Sequence, residues 1–154
     1  MSERLKNKVA IVTGAGSVGP GWGNGKATAT LFAREGAKVF AIDRNEDAVA
    51  ETASIIAEEG GACTAHVADV TEAEAVEALV ARCVETYGRV DVLHNNVGIV
   101  DDKNVLETSE ETWDQVMAVN LKSMFLTCKH VIPVMAKQGG GVIVNVGSIS
   151  GIRW

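Results

Sequence analysis

Apolar residues recur along the chain in two alternating forms, short β-branched runs and longer stretches at helical spacing. Lys8-Val9-Ala10-Ile11-Val12-Thr13 is the first short run and leads into glycines, the pattern of a buried parallel strand. Lys26 to Arg34 lacks breakers and is followed by Glu35-Gly36, which predicts a helix closed by a glycine. The alternation repeats as a strand over Lys38 to Asp43, a helix from about Glu46 to Glu59, a strand over Ala62 to Val67, a helix over Glu72 to Tyr87 and a strand over Val90 to His94. A polar loop, Asp101 to Thr108, precedes one long helix from about Ser109 to Lys137. Along it Trp113, Val116, Met117, Leu121, Met124, Cys128, Val131, Ile132 and Met135 recur at helical spacing, and Ser109, Glu111 and Thr112 supply capping chemistry at its start. Gly139-Gly140-Gly141 ends that helix, and Val142 to Val146 reads as a fifth strand.

Parallel neighbours need crossover connections, and helices are the usual crossovers. Five strands alternating with four helices therefore predict an α/β fold, a Rossmann-type doubly wound parallel sheet, in a single domain spanning residues 1–154. Ligands of such sheets bind beyond the carboxyl ends of the strands, where strand order reverses. Those ends are Thr13, Asp43, Val67, His94 and Val146. A histidine ending a buried strand is expected to be packed and hydrogen-bonded rather than catalytic.

Composition narrows the partners. The formal net charge is −6, which opposes docking on nucleic acid or on anionic lipid. The apolar runs are too short to span a bilayer, and the start, MSERLKNKVA, lacks the apolar core of a secretory signal, so a cytoplasmic location is expected. Cys63, Cys83 and Cys128 are scattered and odd in number, which argues for free thiols rather than disulfides or zinc ligands. His66 and His130 join no constellation, and no metal site is expected.

Glycine changes the picture most, because six of the 16 glycines fall between Gly14 and Gly25. They lie at a strand-to-helix turn, where exposed N–H groups and the helix dipole favour a pyrophosphate. Two registers compete. Gly14, Gly16 and Gly19 spell one GxGxxG, whereas Gly14, Gly23 and Gly25 spell a longer version interrupted by five residues. The second suits the helix better, since a helix starting at Gly19 would carry Pro20, Gly21, Gly23 and Gly25 in its opening turns, at a cost of about 1 kcal/mol for each glycine. Asp43 follows Gly25 by 18 positions, close to the ~20 expected of an acid that binds ribose hydroxyls. Its charge would repel a ribose phosphate and favours NAD over NADP, although Arg44 beside it softens that repulsion.

From about Lys8 to Gly151 the sequence resembles the short-chain dehydrogenase/reductase family. The resemblance rests on the Thr-Gly-rich loop at Thr13, Asp43 after the second strand and Ala68-Asp69-Val70 after the third. It continues with Asn95-Asn96-Val97-Gly98 after the fourth, Asn120 in the long helix and Asn145-Val146-Gly147-Ser148 after the fifth. It implies that the loop residues Gly14, Ser17, Gly23, Asn24 and Gly25, with Asp43 and Arg44, hold the cofactor. It also implies that Asp69 and Val70 flank the adenine, that Asn96, Val97 and Gly98 line the cofactor, and that Asn120 and Ser148 stand at catalytic positions. A homo-oligomer is implied as well. The residues themselves support Asn120, a helix amide on the face of Met117, Leu121 and Met124 that must find partners. Past a strand end, the Ser148 hydroxyl is placed to bond a substrate carbonyl or alcohol.

Two departures stand out. Val18-Gly19-Pro20-Gly21-Trp22 lengthens the phosphate loop, and the tyrosine and lysine that follow the serine in the family are absent from the 154 residues. Tyr87 is the only tyrosine; it precedes the fourth strand, so about five residues at ~3.3 Å each put roughly 17 Å between it and the active edge. The expectation is an oxidoreductase moving hydride between a nicotinamide cofactor and an alcohol or carbonyl substrate, inactive as 154 residues alone and continued in a longer enzyme. The alternatives are a non-catalytic dinucleotide-binding module and, more weakly, a scaffold that shares only the fold.

Overall fold

The computed structural model describes residues 3–149; Gly151 and Trp154, which figure in the sequence reading, lie outside the described residues. The elements are β1 (Val9–Thr13), α1 (Asn24–Arg34), β2 (Lys38–Asp43), α2 (Glu46–Glu58), β3 (Ala62–Val67), α3 (Ala73–Tyr87), β4 (Val92–Asn95), α4 (Glu110–Met117), a π-helical turn (Ala118–Lys122), α5 (Ser123–Lys137) and β5 (Val142–Asn145). All strand pairs are parallel, in the order β3-β2-β1-β4-β5. Strand order thus reverses between β1 and β4, which opens a crevice at the carboxyl ends of those two strands.

Alternation along the strands sorts side chains by size. Val9, Ile11, Phe40, Ile42 and Leu93 project to the face covered by α3 and α5, where they meet Val76, Leu79, Leu126 and Val131. Ala10, Val12, Val39 and Ala41 project to the other face and meet Ala29, Ala33, Val49 and Ile56 of α1 and α2. Small residues on both sides of that second layer let α1 approach the sheet closely, which sets its first turn against the end of β1. α3 ends where Gly88 takes the left-handed conformation at φ 82°, a backbone state that glycine adopts at no steric cost.

The long helix differs from its predicted form. It contains a π-helical turn at Ala118–Lys122, and the extra residue shifts the face that meets the sheet. Its buried positions are Val119, Ser123, Leu126, Thr127, Val131 and Met135, whereas Trp113, Met117, Leu121, Phe125 and Ile132 are exposed. The inward hydroxyls are satisfied, Ser123 Oγ donating to the Val119 carbonyl at 2.6 Å and Thr127 Oγ1 sharing its one proton between the Ser123 carbonyl at 3.0 Å and Asn95 Oδ1 at 2.8 Å. Two small polar residues thus hide the inward face from a reading based on apolar periodicity. β4 also starts two residues later than predicted and runs one residue further, to Asn95, while β5 stops at Asn145 rather than Val146.

His94 is buried and packed as expected, its ring meeting Phe32 edge-on at 6.0 Å, while Nδ1 has no hydrogen-bond partner among the described residues. An apolar helix face, not a polar group, fills the space beside it.

Candidate functional site

The glycine loop leaves β1 at Thr13 and is held to its neighbours by hydrogen bonds from three directions. The Asn96 amide donates from its backbone N–H to Thr13 Oγ1 at 3.1 Å and from Nδ2 to the Gly14 carbonyl at 3.1 Å. Thr52 of α2 donates to the Ala15 carbonyl at 2.8 Å. Asp43 Oδ2 accepts the Gly16 N–H at 2.9 Å, and Oδ1 accepts the Asn45 N–H at 3.0 Å. Asp43, singled out from sequence as a ribose ligand, therefore braces the phosphate loop from the neighbouring strand. A carboxylate oxygen carrying one such bond retains a second lone pair for a further donor.

Gly25 enters α1 so close to the start of the loop that a Cβ there would overlap the Gly14 carbonyl and lie 2.7 Å from Asn96 Nδ2. A Cβ on Gly16 would lie 2.7 Å from that of Ala48 and 2.9 Å from Asp43 Oδ2. These contacts fix the working register: Gly14 and Gly25 face each other across the turn, whereas Gly19 and Gly21 have open space around them at φ 127° and 107°. The longer register of the motif is the structural one, and Val18–Trp22 is extruded from it. Helix α1 begins at Asn24, two residues before the predicted start.

The N-termini of the helices differ in a way that matters for an anion. α2 is capped by the Asn45 side chain and carries Glu46 and Asp47 in its first turn; α4 is capped by Ser109 and carries Glu110 and Glu111. α1 has Gly23 at its N-cap, with no side-chain cap bond and no acid in its first turn. Its first intrahelical bond is Ala27 N–H to the Gly23 carbonyl, at 3.0 Å. The amides of the first turn and the positive end of the dipole are thus left for a ligand of negative charge.

Across the crevice, Val97 packs against Gly14, and a Cβ on Gly98 would lie 3.6 Å from Asn120 Oδ1. Asn120 belongs to the π-helical turn, and both halves of its amide are engaged by one residue. Oδ1 accepts the Ile99 N–H and Nδ2 donates to the Ile99 carbonyl, each at 2.8 Å. Its expected companions Met117 and Leu121 are exposed, so the amide is held by the strand-following loop and not by an apolar face. On the far side, Asp69 accepts from the Thr71 hydroxyl at 2.7 Å and the Thr71 N–H at 2.9 Å. Those two bonds hold its carboxyl below the usual range against the opposing effect of burial, with the charges of Arg44 and Lys122 adding to them. Val70 beside it is buried.

Ser148 is exposed and stands three residues past Asn145 at the same edge of the sheet. Below it, a polar chain joins β5, β4 and α5. Asn95 Nδ2 donates to Asn145 Oδ1 at 2.9 Å, and Thr127 Oγ1 donates to Asn95 Oδ1 at 2.8 Å. Neither this chain nor the bond from Lys26 Nζ to the Gly21 carbonyl of the loop, at 3.3 Å, is read from the sequence; a threonine and a lysine at helix positions carry no signal of their own. Tyr87 sits elsewhere, its hydroxyl 2.8 Å from Thr64 Oγ1 and its ring edge-on to Phe40. Burial pushes its phenol up from the ordinary value, away from the range in which it exchanges protons near neutrality.

The chain is 47% identical over 148 residues to an uncharacterized oxidoreductase of Thermotoga maritima, covering 96% of this chain and 56% of that protein. It is 43% identical over 152 residues to the 3-oxoacyl-(acyl-carrier-protein) reductase FabG of the same organism, covering 97% and 58%. It thus spans little more than half the length of these relatives. Among solved structures, a 7α-hydroxysteroid dehydrogenase complexed with NADH and 7-oxo glycochenodeoxycholic acid superimposes with a TM-score of 0.92 at 33% identity, over 99% of this chain and 58% of that one. The loop from Thr13 is held by Asp43 at the end of β2 and by Asn96 after β4. Residues 8–153 match the model of the short chain dehydrogenase family, and the chain belongs to that family.

Proposed function

We propose that this chain is the dinucleotide-binding part of an NAD-dependent oxidoreductase that acts on an alcohol or carbonyl compound. The observation that carries the reading is the uncapped, acid-free first turn of α1, placed where Gly14 and Gly25 meet and flanked by Asp43 at the end of β2. The first-turn amides of Asn24 and Gly25, with Ser17 and Gly23 of the loop, would hold the diphosphate, and Asp43 would accept the ribose hydroxyls. Asp69 and Val70 would border the adenine, and Asn96, Val97 and Gly98 would line the crevice toward the reacting end. NADP is disfavoured by the Asp43 carboxylate, with Arg44 as the residue that moderates the preference. The relative solved with NADH is consistent with the NAD assignment.

Nicotinamide supplies hydride transfer when bound. The chain's own residues orient: Ser148 offers a hydroxyl to the substrate oxygen, and Asn120 holds the Ile99 backbone at the floor of the crevice. Proton exchange needs a group that titrates near neutrality, and Tyr87 is half-buried beside Thr64 and Phe40 with its phenol pushed up. Turnover by the 154 residues alone is expected to be near zero. A second reading, a binding module without catalysis, draws on the same observation. Calorimetry with NAD, paired with a dehydrogenase assay on protein of verified mass 16.2 kDa, separates the two from a misassigned site. Binding without turnover fits both readings of this chain, and absence of binding removes both.

Among the described residues no helix is long and apolar enough to cross a membrane. A cytoplasmic location and a homo-oligomer complete the proposal. The exposed apolar stripe of Trp113, Met117, Leu121 and Phe125 favours self-association, which sedimentation tests directly.

A further inference from the structure

The inserted Val18-Gly19-Pro20-Gly21-Trp22 leaves the phosphate loop after Ser17 and rejoins it at Gly23, and one hydroxyl closes its base. Ser17 Oγ accepts the Gly23 N–H at 2.8 Å and donates to the Gly21 carbonyl at 3.1 Å. The same carbonyl receives a second donor from below, Lys26 Nζ at 3.3 Å, and that ammonium also pairs with Glu51 Oε2 of α2 at 2.8 Å. Lys26 is 1% exposed, whereas the Glu51 side chain is 60% exposed.

Burying an ammonium is costly, and a buried ion pair is a weaker source of stability than an apolar side chain of similar length would be. What the arrangement supplies is placement. The extension has little packing of its own, since Val18 is fully exposed, Trp22 is 58% exposed and nothing surrounds Gly19 or Gly21. Its position is set by the two donors on the Gly21 carbonyl. α2 thereby holds both halves of the loop, the first through Thr52 on the Ala15 carbonyl at 2.8 Å and the second through Glu51 and Lys26.

We propose that Lys26 is a positioning residue for dinucleotide binding: by tying Gly21 to Glu51 it keeps the Val18–Trp22 extension folded away from the amides of the first turn of α1, where the diphosphate docks. The proposal rests on the dinucleotide reading above. When the tie is cut, only the Ser17 hydroxyl holds the Gly21 carbonyl, and the loosened extension competes with the diphosphate for those amides, while the adenosine end, bounded by Asp43 and Asp69, is undisturbed.

The test uses Lys26→Met in a Trp113→Phe, Trp154→Phe background, so that Trp22 is the sole fluorophore. Iodide quenching of the ligand-free protein reports the extension directly, calorimetry gives the affinity for NAD, and saturation-transfer NMR gives the affinity for adenosine, which has no diphosphate. The expected result is a two- to threefold rise in quenching and a five- to tenfold loss of NAD affinity, with adenosine binding and melting temperature little changed. Unchanged Trp22 quenching overturns the tie whatever NAD does. Parallel loss of NAD and adenosine binding with a fall in melting temperature makes Lys26 merely structural and overturns the proposal. If the parent protein binds no NAD while quenching still responds to the substitution, the tie stands as geometry, the dinucleotide reading fails, and the positioning role falls with it. Should Lys26→Met not fold, Glu51→Gln is expected to raise Trp22 quenching and lower NAD affinity relative to adenosine, with a fall in melting temperature because the buried ammonium loses its counter-charge, and unchanged quenching overturns the proposal.

Discussion

Asp43 Oδ2 accepts the N–H of Gly16 across 27 residues of sequence, at 2.9 Å, so the acid at the end of β2 and the phosphate loop after β1 form one unit. Under the proposed reading two functions rest on one carboxylate, bracing the loop through Oδ2 and offering its remaining lone pairs to a ribose. The two are separable by substitution. Asp43→Asn keeps an oxygen for Gly16 and is expected to leave the melting temperature within a few degrees while NAD affinity falls roughly tenfold, or about 1.4 kcal/mol. Asp43→Ala removes the brace as well, and a hydrogen bond to a charged group contributes about 1.5–3 kcal/mol. It is expected to lower stability by that order and to shift the NAD/NADP preference toward NADP. Calorimetry with both dinucleotides and denaturant titration check this, and equal affinities before and after would remove the ribose assignment.

Gly25 and Gly147 make a matched pair for testing the register of the motif. A Cβ at Gly25 meets the Gly14 carbonyl and Asn96 Nδ2, both fixed by backbone or by hydrogen bonds, whereas one at Gly147 meets nothing within 4 Å among the described residues. Gly25→Ala is expected to destabilise the fold by about 1–3 kcal/mol or more, the range for forced overpacking, and to abolish detectable NAD binding. Gly147→Ala is expected to be neutral in stability. Thermal unfolding of the two variants side by side decides it.

Asn120 supports the crevice by holding both backbone groups of Ile99. Asn120→Ala leaves the Ile99 N–H and carbonyl without those partners, and an unsatisfied buried polar group costs about 1–3 kcal/mol. The expected outcome is a stability loss in that range, with faster amide exchange at Ile99 by hydrogen-exchange NMR. Exchange at the parent rate would show that the π-helical turn holds its shape without the asparagine.

The strand-helix alternation was legible because parallel strands are short, apolar and β-branched; β1 and β2 carry that mark and are buried, whereas β3, Ala62–Val67, is half-exposed and carries it weakly. The order β3-β2-β1-β4-β5 was not legible from periodicity, which is blind to neighbours; the motif spacing supplied only the place of the phosphate loop. In that loop, helix cost alone selected Gly14 and Gly25, and the structure shows the steric reason in their mutual approach. The long helix was read correctly at Val131 and Met135 but not at Trp113, Met117, Leu121 and Ile132, which are exposed, because its inward positions also include Ser123 and Thr127, whose hydroxyls are hidden by bonds to the preceding turn. Asp43 was legible as an acid in the right place, but its bond to Gly16 depends on how β1 and β2 lie side by side, and Lys26 owes its role to a packing of α1 against α2 that no local pattern encodes.

Asp91 anchors the opposite end of the sheet and gives the fold an acid-sensitive element. Its Oδ2 accepts the Val9 N–H at 2.9 Å, Arg89 grips both oxygens at 2.9 and 2.7 Å, and Lys8 lies 3.8 Å away. Burial, the largest single influence, would raise its carboxyl, but the Arg89 and Val9 hydrogen bonds with the charges of Arg89 and Lys8 outweigh it and hold the group below its ordinary value. A carboxyl depressed in the folded state contributes stability that is fully present above its unfolded pKa of about 3.9 and is lost as pH falls through the folded value. Unfolding free energy is thus expected to fall as pH drops below about 4, and Asp91→Asn, which cannot ionise, is expected to be less stable at pH 7 and to show a shallower acid slope. Urea titrations of both proteins from pH 7 to pH 3 measure the two slopes, and parallel curves would mean that the unfolded chain holds Asp91 in an equally favourable field.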